Sequence, residues 1–321
     1  MLNHRACSLF IVGFYAGFGN PTVAEVWDAH THLTLYGEGA LSELKKSGVT
    51  AVRDCGSSPW DIRRWRDEIA AGKLDGPKIF FSGPILDGPK DAAVRLVVQT
   101  PEDGRKAVDT LAKLGVDFIK THNALATDSF FAIVEQARMH HLKVAAHLPK
   151  GVPVWVAASA GVGSVEHAAE SLLASPIYAG YAKDVDGAMA WWRSSDGDRA
   201  IQQLALSGVA ITPTLVAYET LVDMRRKTPE YERFLVVFQF LIELVGRLHQ
   251  GGVTLLAGSD FSSPTLPIRP GRSLFRELEL LKQAGLSDAD TRDAAGKNVS
   301  KWFEGSHASS SRLFGVHLNA H

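Results

Sequence analysis

The chain has 321 residues, of which 45% are hydrophobic and 21% are charged, an ordinary composition for a globular protein. The formal net charge of −1 at pH 7 excludes the broad basic surface typical of nucleic-acid binding, so we expect a small-molecule substrate and no nucleic-acid partner. A core of this size needs no disulfides. Homo-oligomerisation stays open at this stage.

The N-terminal segment has the features of a secretory signal peptide. Arg5 precedes a short apolar stretch at residues 6–19, and Thr22-Val23-Ala24 offers small residues for cleavage. We therefore predict a signal peptide over residues 1–24 and a secreted or periplasmic protein. The alternative is a buried N-terminal strand or helix in a cytoplasmic protein. No other stretch is apolar and long enough for a membrane helix, so we expect no stable membrane span.

Beyond this segment, short apolar runs alternate with longer amphipathic stretches, which is typical of βαβ units around a parallel sheet. Eight runs are predicted to be strands: Val26–His32, Thr50–Cys55, Lys78–Ser82, Val116–Thr121, Lys143–His147, Ser164–His167, Val209–Thr212 and Val253–Gly258. The predicted helices include Trp60–Ala71, Pro101–Leu114, Ser129–His140, Asp198–Leu206, Glu230–Gln250 and Ser273–Ala284. Eight such units predict an α/β protein of the (β/α)8 TIM barrel class over residues 25–304.

The connections between these elements carry further signals. Gly-Val pairs at 48–49, 115–116, 161–162, 208–209 and 252–253 mark helix ends that turn into strands. The connections 83–100 and 168–196 are longer than needed, and both follow strand ends, where barrel enzymes build active sites. Tyr178, Tyr181, Trp191 and Trp192 in the second connection would either line a substrate pocket or pack the loop onto the barrel. The polar residues 305–321 are expected to form a loosely ordered tail.

Residue types that bind metals stand at the carboxyl ends of five predicted strands. His30 and His32 end the first strand, where alternate residues point the same way. The others are Lys120, His147, His167 and Asp260. Imidazole and carboxylate ligands suit zinc and similar divalent metals. One histidine at a strand end is usually structural, but this set on one rim predicts a metal site.

With these ligands in order, the chain resembles the amidohydrolase superfamily, in its imidazolonepropionase-like and prolidase-like branch. The resemblance includes the segments Trp27–His32, Gly48–Asp54, Ser82–Pro89, Val116–Lys120, Thr212–Leu215, Leu256–Asp260 and Glu277–Leu281. The His-x-His motif alone is weak. The complete set of ligands is specific to the superfamily, although it does not identify a substrate.

The resemblance implies a binuclear metal centre. His30, His32 and Asp260 would hold one divalent metal, and His147 and His167 would hold the other. Lys120, carboxylated by carbon dioxide, would bridge both; the alternative is an ordinary lysine paired with a carboxylate. Zinc is the default metal, with manganese, cobalt or iron as alternatives. A hydroxide bridging the two metals would be the nucleophile, with Asp260 as general base and then general acid.

Three further residues are candidates for substrate binding. His122 lies two residues after Lys120, at a position where relatives often carry tyrosine. Tyr218 follows the seventh strand and could polarise a carbonyl or hold a carboxylate, and Arg53 near the end of the second strand could pair with a substrate carboxylate. The alternatives are that these side chains hold the metal ligands in position, that they pack a loop, or that Arg53 forms an ion pair with Asp54 or Asp28.

The chain departs from many relatives in two respects. We expect it to lack the small β-sandwich that both termini form in those relatives, either as a natural barrel-only member or through a truncated reading frame. Phe275 stands where those relatives often carry histidine. The preferred hypothesis is hydrolysis of a C–N amide bond in a dipeptide or an N-acyl amino acid. The alternatives are phosphotriester, lactone or cyclic-amide hydrolysis at the same site, and a degenerate barrel that binds a ligand or partner without turnover.

Overall fold

The computed structural model describes residues 25–89 and 94–304. The signal peptide predicted at residues 1–24 and the tail predicted at residues 305–321 lie outside the described residues. The strands are β1 (Trp27–Thr31), β2 (Ala51–Asp54), β3 (Lys78–Phe81), β4 (Ile85–Asp87), β5 (Arg95–Val97), β6 (Ile119–Thr121), β7 (Val144–Ala146), β8 (Ser164–Glu166), β9 (Ala210–Thr212) and β10 (Thr254–Leu255).

The helices surround these strands, and most of them connect one barrel strand to the next. They are α1 (Leu33–Tyr36), α2 (Gly39–Lys46), α3 (Pro59–Ala70), α4 (Pro101–Leu114), α5 (Thr127–Met139), α6 (Val154–Ser159), α7 (Ser175–Tyr178), α8 (Val185–Trp192), α9 (Ser195–Ser207), α10 (Leu215–Met224), α11 (Tyr231–Gln250), α12 (Arg272–Gln283), α13 (Asp288–Ala294) and α14 (Lys297–Phe303), with a π-helix at Ala168–Leu173. The helices predicted from the sequence are confirmed, with shifts of a few residues at their ends.

The strands pair in parallel in two groups, β1-β2-β3 and β10-β9-β8-β7-β6-β4-β5. Backbone hydrogen bonds join the groups at both ends. The Ala29 N–H donates to the Ala257 carbonyl at 2.8 Å, and the Asp117 N–H donates to the Phe81 carbonyl at 2.9 Å. These bonds link β1 to the end of β10 and β3 to the start of β6. The eight predicted strands are therefore confirmed, and they complete a (β/α)8 barrel.

Two strands were not predicted. β4 and β5 lie in the long connection 83–100, and β4 pairs with β6 at Leu86 and Thr121, near the carboxyl end of β6. This places the β4–β5 pair beside the mouth of the barrel. Residues 25–89 and 94–304 contain no strands besides those of the barrel and the β4–β5 pair. Within the same residues, no helix has both the length and the apolar character to cross a membrane.

Local sequence signals explain where the helices begin and end. At the start of α4, the Thr100 side chain accepts from the Asp103 N–H at 3.1 Å, and the Asp103 side chain accepts from the Thr100 N–H at 3.0 Å. All five Gly-Val pairs place their glycine at positive φ, between 71° and 91°. Glycine adopts this left-handed conformation without steric cost, so it ends each helix and lets the chain enter the next strand.

Aromatic side chains close the floor of the barrel. Trp302 and Phe303 of α14 pack with Trp27, Phe80 and Phe118 inside the ring of strands. Trp302 lies beside Gly163, which immediately precedes β8, so α14 covers the end of the barrel where the strands begin. The opposite end, where the strands finish, is left for the site.

The aromatic residues of the long connection 168–196 pack the loop onto the barrel. Trp192 is fully buried, and its indole N–H donates to the Leu172 carbonyl at 3.0 Å. Trp191 stacks against Trp155 with ring centroids 5.1 Å apart, and the Tyr181 ring lies 5.8 Å from the Trp191 ring. None of these aromatic residues lines the cavity at the barrel mouth. Of the two alternatives for this loop, packing is therefore the correct one.

A buried carboxylate at the barrel exterior makes stability depend on pH. Glu277 of α12 accepts from the Leu215 N–H at 3.1 Å and the Val216 N–H at 2.8 Å, at the start of α10. Burial raises the pKa of Glu277 to about 8 from an ordinary value of 4.5, although these hydrogen bonds oppose the rise. The native state therefore binds this proton more tightly than the unfolded chain. Its stabilising effect is complete below about pH 4.5 and is lost as the pH rises through about 8.

We expect the contribution of Glu277 to the free energy of unfolding of the metal-free protein to fall by a few kcal/mol between pH 5.5 and 8.5, since one pKa unit corresponds to about 1.4 kcal/mol. Urea denaturation of wild type and Glu277→Gln checks this. The variant should be less stable at pH 5.5, with a gap that narrows at pH 8.5. Glu279→Gln, an exposed change on the same helix, should keep the wild-type pH dependence. A constant gap between wild type and Glu277→Gln would contradict the assignment.

Candidate metal centre and binding pocket

The histidines and the aspartate predicted as ligands meet at the carboxyl ends of the strands. Asp260 lies at their centre: its Oδ1 is 3.5 Å from His30 Nε2 and 3.3 Å from His32 Nε2, and its Oδ2 is 3.8 Å from His167 Nδ1. The His167 ring is 4.7 Å from both the His30 and the His147 rings. The chain thus brings together residues as far apart in sequence as His30 and Asp260.

Lys120 joins this cluster from β6. Its side chain is buried, it lines the same cavity, and its Nζ donates to the Thr121 carbonyl at 3.1 Å. Burial lowers the pKa of the Lys120 amine, and the nearby Arg53 also lowers it. A larger neutral fraction follows, and the neutral amine is the nucleophilic form of lysine.

The donor set fits divalent metals. Ligand atoms of His30, His167 and Asp260 all lie within 4.8 Å of one another. Among the described residues, His30 Nε2 and His147 Nδ1 are buried without a hydrogen-bond partner, which is costly unless a ligand uses them. Burial holds the pKa values of His30, His147 and His167 well below the usual value of 6.5. Their imidazoles are therefore neutral, as metal ligation requires.

The backbone at this end of the barrel is strained in a way that points to function. Val94, His167, Thr214 and Asp260 have positive φ values of 49° to 66°, and all four line the cavity. Such conformations cost roughly 1–3 kcal/mol each in non-glycine residues and persist where the surrounding structure imposes them. For His167, the Nδ1 contact of 2.9 Å with the Thr214 hydroxyl holds the ring in place.

A close approach of two strands positions His30. Gly258 lies against His30, and a Cβ atom at Gly258 would come within 2.7 Å of the His30 Cβ and 2.8 Å of Thr212 Cγ2. Glycine at this position therefore allows β1 and the end of β10 to come together. The Asp260 N–H then donates to the His30 carbonyl at 2.8 Å, which ties the central carboxylate to β1.

Below the ligands lies a fully buried ion pair that the sequence did not reveal. Glu166 Oε2 is 2.7 Å from His30 Nδ1, so the carboxylate fixes the orientation of this ligand. Arg53 donates to both Glu166 oxygens at 2.8 Å, and the Ser164 hydroxyl donates to Glu166 Oε1 at 2.5 Å. Glu166 was visible in the sequence only as the neighbour of His167.

The position of Arg53 corrects the expectation that it contacts a substrate carboxylate or pairs with Asp54 or Asp28. Its side chain has no exposed surface and does not line the cavity. Besides Glu166, it donates to the Ala29 carbonyl, the Ser164 hydroxyl and the Thr212 hydroxyl at 2.5 to 3.0 Å. Arg53 therefore supports the metal-ligand cluster from within the barrel.

A cavity of about 340 Å³ opens above the cluster. The predicted substrate-binding residues His122 and Tyr218 both line it. Tyr218 stacks on Phe234 and Phe238, and burial raises its pKa to about 12, so its phenol keeps its proton and can donate a hydrogen bond. Most of the remaining wall is apolar: Leu35, Ile85, Val94, Ala168, Ala169, Pro213, Ala217, Leu221, Met224, Leu241, Leu266 and Ile268.

Arg95 and Asp87 surround His122 on one side of the cavity. Asp87 is fully buried and pairs with Arg95, and its Oδ2 lies 3.4 Å from His122 Nδ1. Burial alone would raise the pKa of Asp87, but His122, the Ala124 N–H and Arg95 outweigh it and hold the pKa below its usual value. Sequence reasoning missed this cluster, although it marked the connection 83–100 as long enough to serve the site.

Phe275, the second departure from the relatives, lies on α12 and is not among the residues lining the cavity. An aromatic ring at this position therefore leaves the six ligand positions and the walls of the cavity intact.

No protein-family model matches the sequence, and no curated protein sequence matches it. Several solved structures do match this chain. Bottromycin amidohydrolase superposes with a TM-score of 0.70 at 23% identity, over 87% of this chain and 67% of that one. A candidate prolidase from Bifidobacterium longum gives a TM-score of 0.63 at 26% identity, over 87% and 69%. A Xaa-Pro dipeptidase with methionine bound in its active site gives 0.66 at 19%, over 87% and 75%.

Proposed function

This chain has the fold of the amidohydrolase superfamily, and from that premise we propose that it is a metal-dependent hydrolase of C–N amide bonds in small substrates. The observation that carries the proposal is the cluster around Asp260, where ligand atoms of His30, His167 and Asp260 lie within 4.8 Å of one another and, among the described residues, His30 Nε2 is buried without a hydrogen-bond partner. His30, His32 and Asp260 would hold one divalent metal. His147 and His167 would hold a second, and a carboxylated Lys120 would connect them.

A pair of divalent metals would supply a water molecule acidic enough to attack a carbonyl near neutral pH and a Lewis acid to polarise that carbonyl. The side chains of the protein supply the proton transfer. Burial raises the pKa of Asp260, but the His32 hydrogen bond and the electrostatic interactions with the surrounding His30, His32 and Lys120 side chains bring it below its usual value. Asp260 is therefore ionised and can accept the proton of the attacking water. It then returns that proton to the leaving amine.

The cavity supports a small amide substrate. Its volume of about 340 Å³ lies at the lower end of the range for small-molecule sites, and its walls are mainly apolar with a few polar groups. The Tyr218 phenol can donate a hydrogen bond to a substrate oxygen. His122, two residues after Lys120 and just past the end of β6, lines the same cavity and can contact the group on the other side of the scissile bond.

The test is a panel of dipeptides, N-acyl amino acids, lactones and paraoxon, assayed with zinc-loaded and with chelator-treated protein. We expect dipeptides or N-acyl amino acids to be hydrolysed, no turnover after chelation, and a loss of at least about 100-fold in kcat for Asp260→Asn, the range of general acid–base catalysis. Turnover restricted to lactones or paraoxon would replace the amide assignment. Silence across the panel in a folded sample with two bound metals would contradict a hydrolase and favour a binding protein.

A further inference from the structure

The helix α10 begins in an unusual way next to the proposed metal centre. Thr214 occupies the position before its first residue, where a threonine side chain normally accepts a hydrogen bond from an N–H group of the first turn. Here the Thr214 side chain makes no such bond, and its backbone is left-handed, with φ 49° and ψ 46°. The first turn of α10 therefore needs an acceptor from another part of the chain.

Glu277 of α12 supplies that acceptor. Its two carboxyl oxygens accept from the Leu215 N–H at 3.1 Å and the Val216 N–H at 2.8 Å, and the side chain is fully buried. These are two of the N–H groups at the start of a helix that lack an intrahelical partner. Glu277 thus performs, from a neighbouring helix, the capping role that Thr214 does not perform.

The Thr214 hydroxyl contacts His167 instead. It lies 2.9 Å from His167 Nδ1, whereas Asp260 Oδ2 is 3.8 Å from the same nitrogen, beyond hydrogen-bond distance. The backbone joins the same two segments, because the His167 N–H donates to the Thr212 carbonyl at 2.9 Å. The conformation of residues 212–214 and the orientation of the His167 ring are therefore coupled.

The contact with Thr214 also decides which nitrogen of His167 is free to bind a metal. When a histidine binds a metal through one ring nitrogen, the other nitrogen carries the proton and donates it to a neighbouring acceptor. With Nδ1–H donating to the Thr214 hydroxyl, Nε2 is the nitrogen left for a metal. A Thr214 hydroxyl turned toward the first turn of α10 would leave Nδ1 without this acceptor.

The backbone of Thr214 explains why the acceptor from α12 matters. A β-branched residue is strained in the left-handed conformation, which persists where the surrounding structure imposes it. A residue that caps a helix through its own side chain usually has an extended backbone. Without Glu277, an extended Thr214 would relieve the strain and cap α10 itself, and its hydroxyl would leave His167.

We propose, on the basis of the hydrolase function above, that Glu277 is a positioning residue for the metal centre, because capping α10 from α12 reserves the Thr214 hydroxyl for His167. The hydrogen bonds of Glu277 go to α10, and Glu277 is not among the residues lining the cavity. It acts through the turn between β9 and α10. Its removal should therefore weaken the metal that His167 would hold and leave the other metal unchanged.

Zinc titration of folded protein against a competing chelator tests this role. Thr214→Val keeps the shape of the side chain without the hydroxyl and should weaken one of the two zinc equivalents about 10- to 100-fold, whereas Thr214→Ser should stay within about threefold of wild type. Glu277→Met removes both acceptors at similar volume and should weaken the same equivalent about tenfold. Combined with Thr214→Val it should add no further loss, since both changes act on one contact. Glu279→Met, exposed on the same helix, should behave as wild type.

The position of the His167 ring proton gives a readout that requires neither zinc nor turnover. Nitrogen NMR of isotopically labelled histidine in the metal-free protein measures it, and the spectrum of His167→Gln identifies the signal. We expect the proton on Nδ1 in wild type and Thr214→Ser, and a shift toward Nε2 in Thr214→Val and Glu277→Met. General destabilisation of the barrel would not move this proton from one nitrogen to the other.

Two results would overturn the proposal: wild-type zinc affinity and ring proton in Glu277→Met, or equal weakening of both zinc equivalents in that variant. If panel compounds are hydrolysed and Glu277→Met behaves as wild type, the proposed function stands and the positioning role fails. If no panel compound is hydrolysed but the zinc and NMR results are as expected, the hydrolase fails and the positioning role stands.

Discussion

Lys120→Ala is expected to lower the bound metal from about two equivalents per chain to one or none, and to reduce kcat at least 1000-fold on any substrate of the wild type. The physical reason is charge. A cationic lysine beside two divalent metals would repel them, whereas its carbamate is an anionic bidentate ligand that can touch both. Plasma mass spectrometry on folded, purified protein expressed with bicarbonate measures the metal directly.

Two matched variants separate the carbamate from simple loss of a side chain. Lys120→Arg keeps a cation at this buried position but cannot be carboxylated, so we expect it to fail in the same way as Lys120→Ala. Lys113→Ala, on the outside of α4, should keep two equivalents and full activity. If Lys120→Ala retained the wild-type metal content, with one equivalent in both proteins, the centre would be mononuclear and the bridging role of Lys120 would be wrong. Loss of metal in Lys113→Ala as well would point to damage in purification.

The barrel could be predicted because each of its signals is local. The apolar runs that became β1, β2, β3 and β6 to β10 alternate with amphipathic helices, and a glycine at positive φ ends five of those helices. Parallel strands in a closed barrel all finish at the same end. The strand-end positions of His30, His147 and His167 were therefore enough to predict that these side chains meet, without knowledge of any distance.

The side chains around the cluster could not be predicted, because their contacts join parts of the chain that no local pattern connects. Arg53 and Glu166 are separated by 113 positions and lie on the second and sixth barrel strands. Arg53 was placed correctly at a strand end, but the depth of a side chain inside a barrel depends on strand stagger, which the sequence does not encode locally. β4 and β5 have three residues each, too few to show a period, so the surroundings of Arg95 and Asp87 stayed hidden.

The second large effect is expected at the ion pair beneath the metal ligands. Arg53→Met leaves Glu166 as a buried charge without its partner, and we expect the free energy of unfolding to fall by about 3–5 kcal/mol. The fall should be measurable by guanidinium denaturation of the metal-free protein. Arg105→Met, an exposed arginine on α4, is the control and should change stability by less than about 1 kcal/mol. The double variant Arg53→Met with Glu166→Gln should recover part of the loss, because neither charge then remains buried alone.

The variants Glu166→Gln and Arg53→Met should differ in their effect on metal affinity. Glu166 contacts His30 Nδ1 at 2.7 Å, so Glu166→Gln changes the group that orients a proposed ligand and should weaken metal binding about 10- to 100-fold. Arg53 contacts no ligand side chain, so Arg53→Met should alter metal affinity less than Glu166→Gln while costing comparable stability. Zinc titration against a competing chelator measures both affinities at a temperature where each variant is folded. Equal losses of affinity in the two variants would mean that the network acts on the barrel as a whole, and that Glu166 has no separate role in positioning His30.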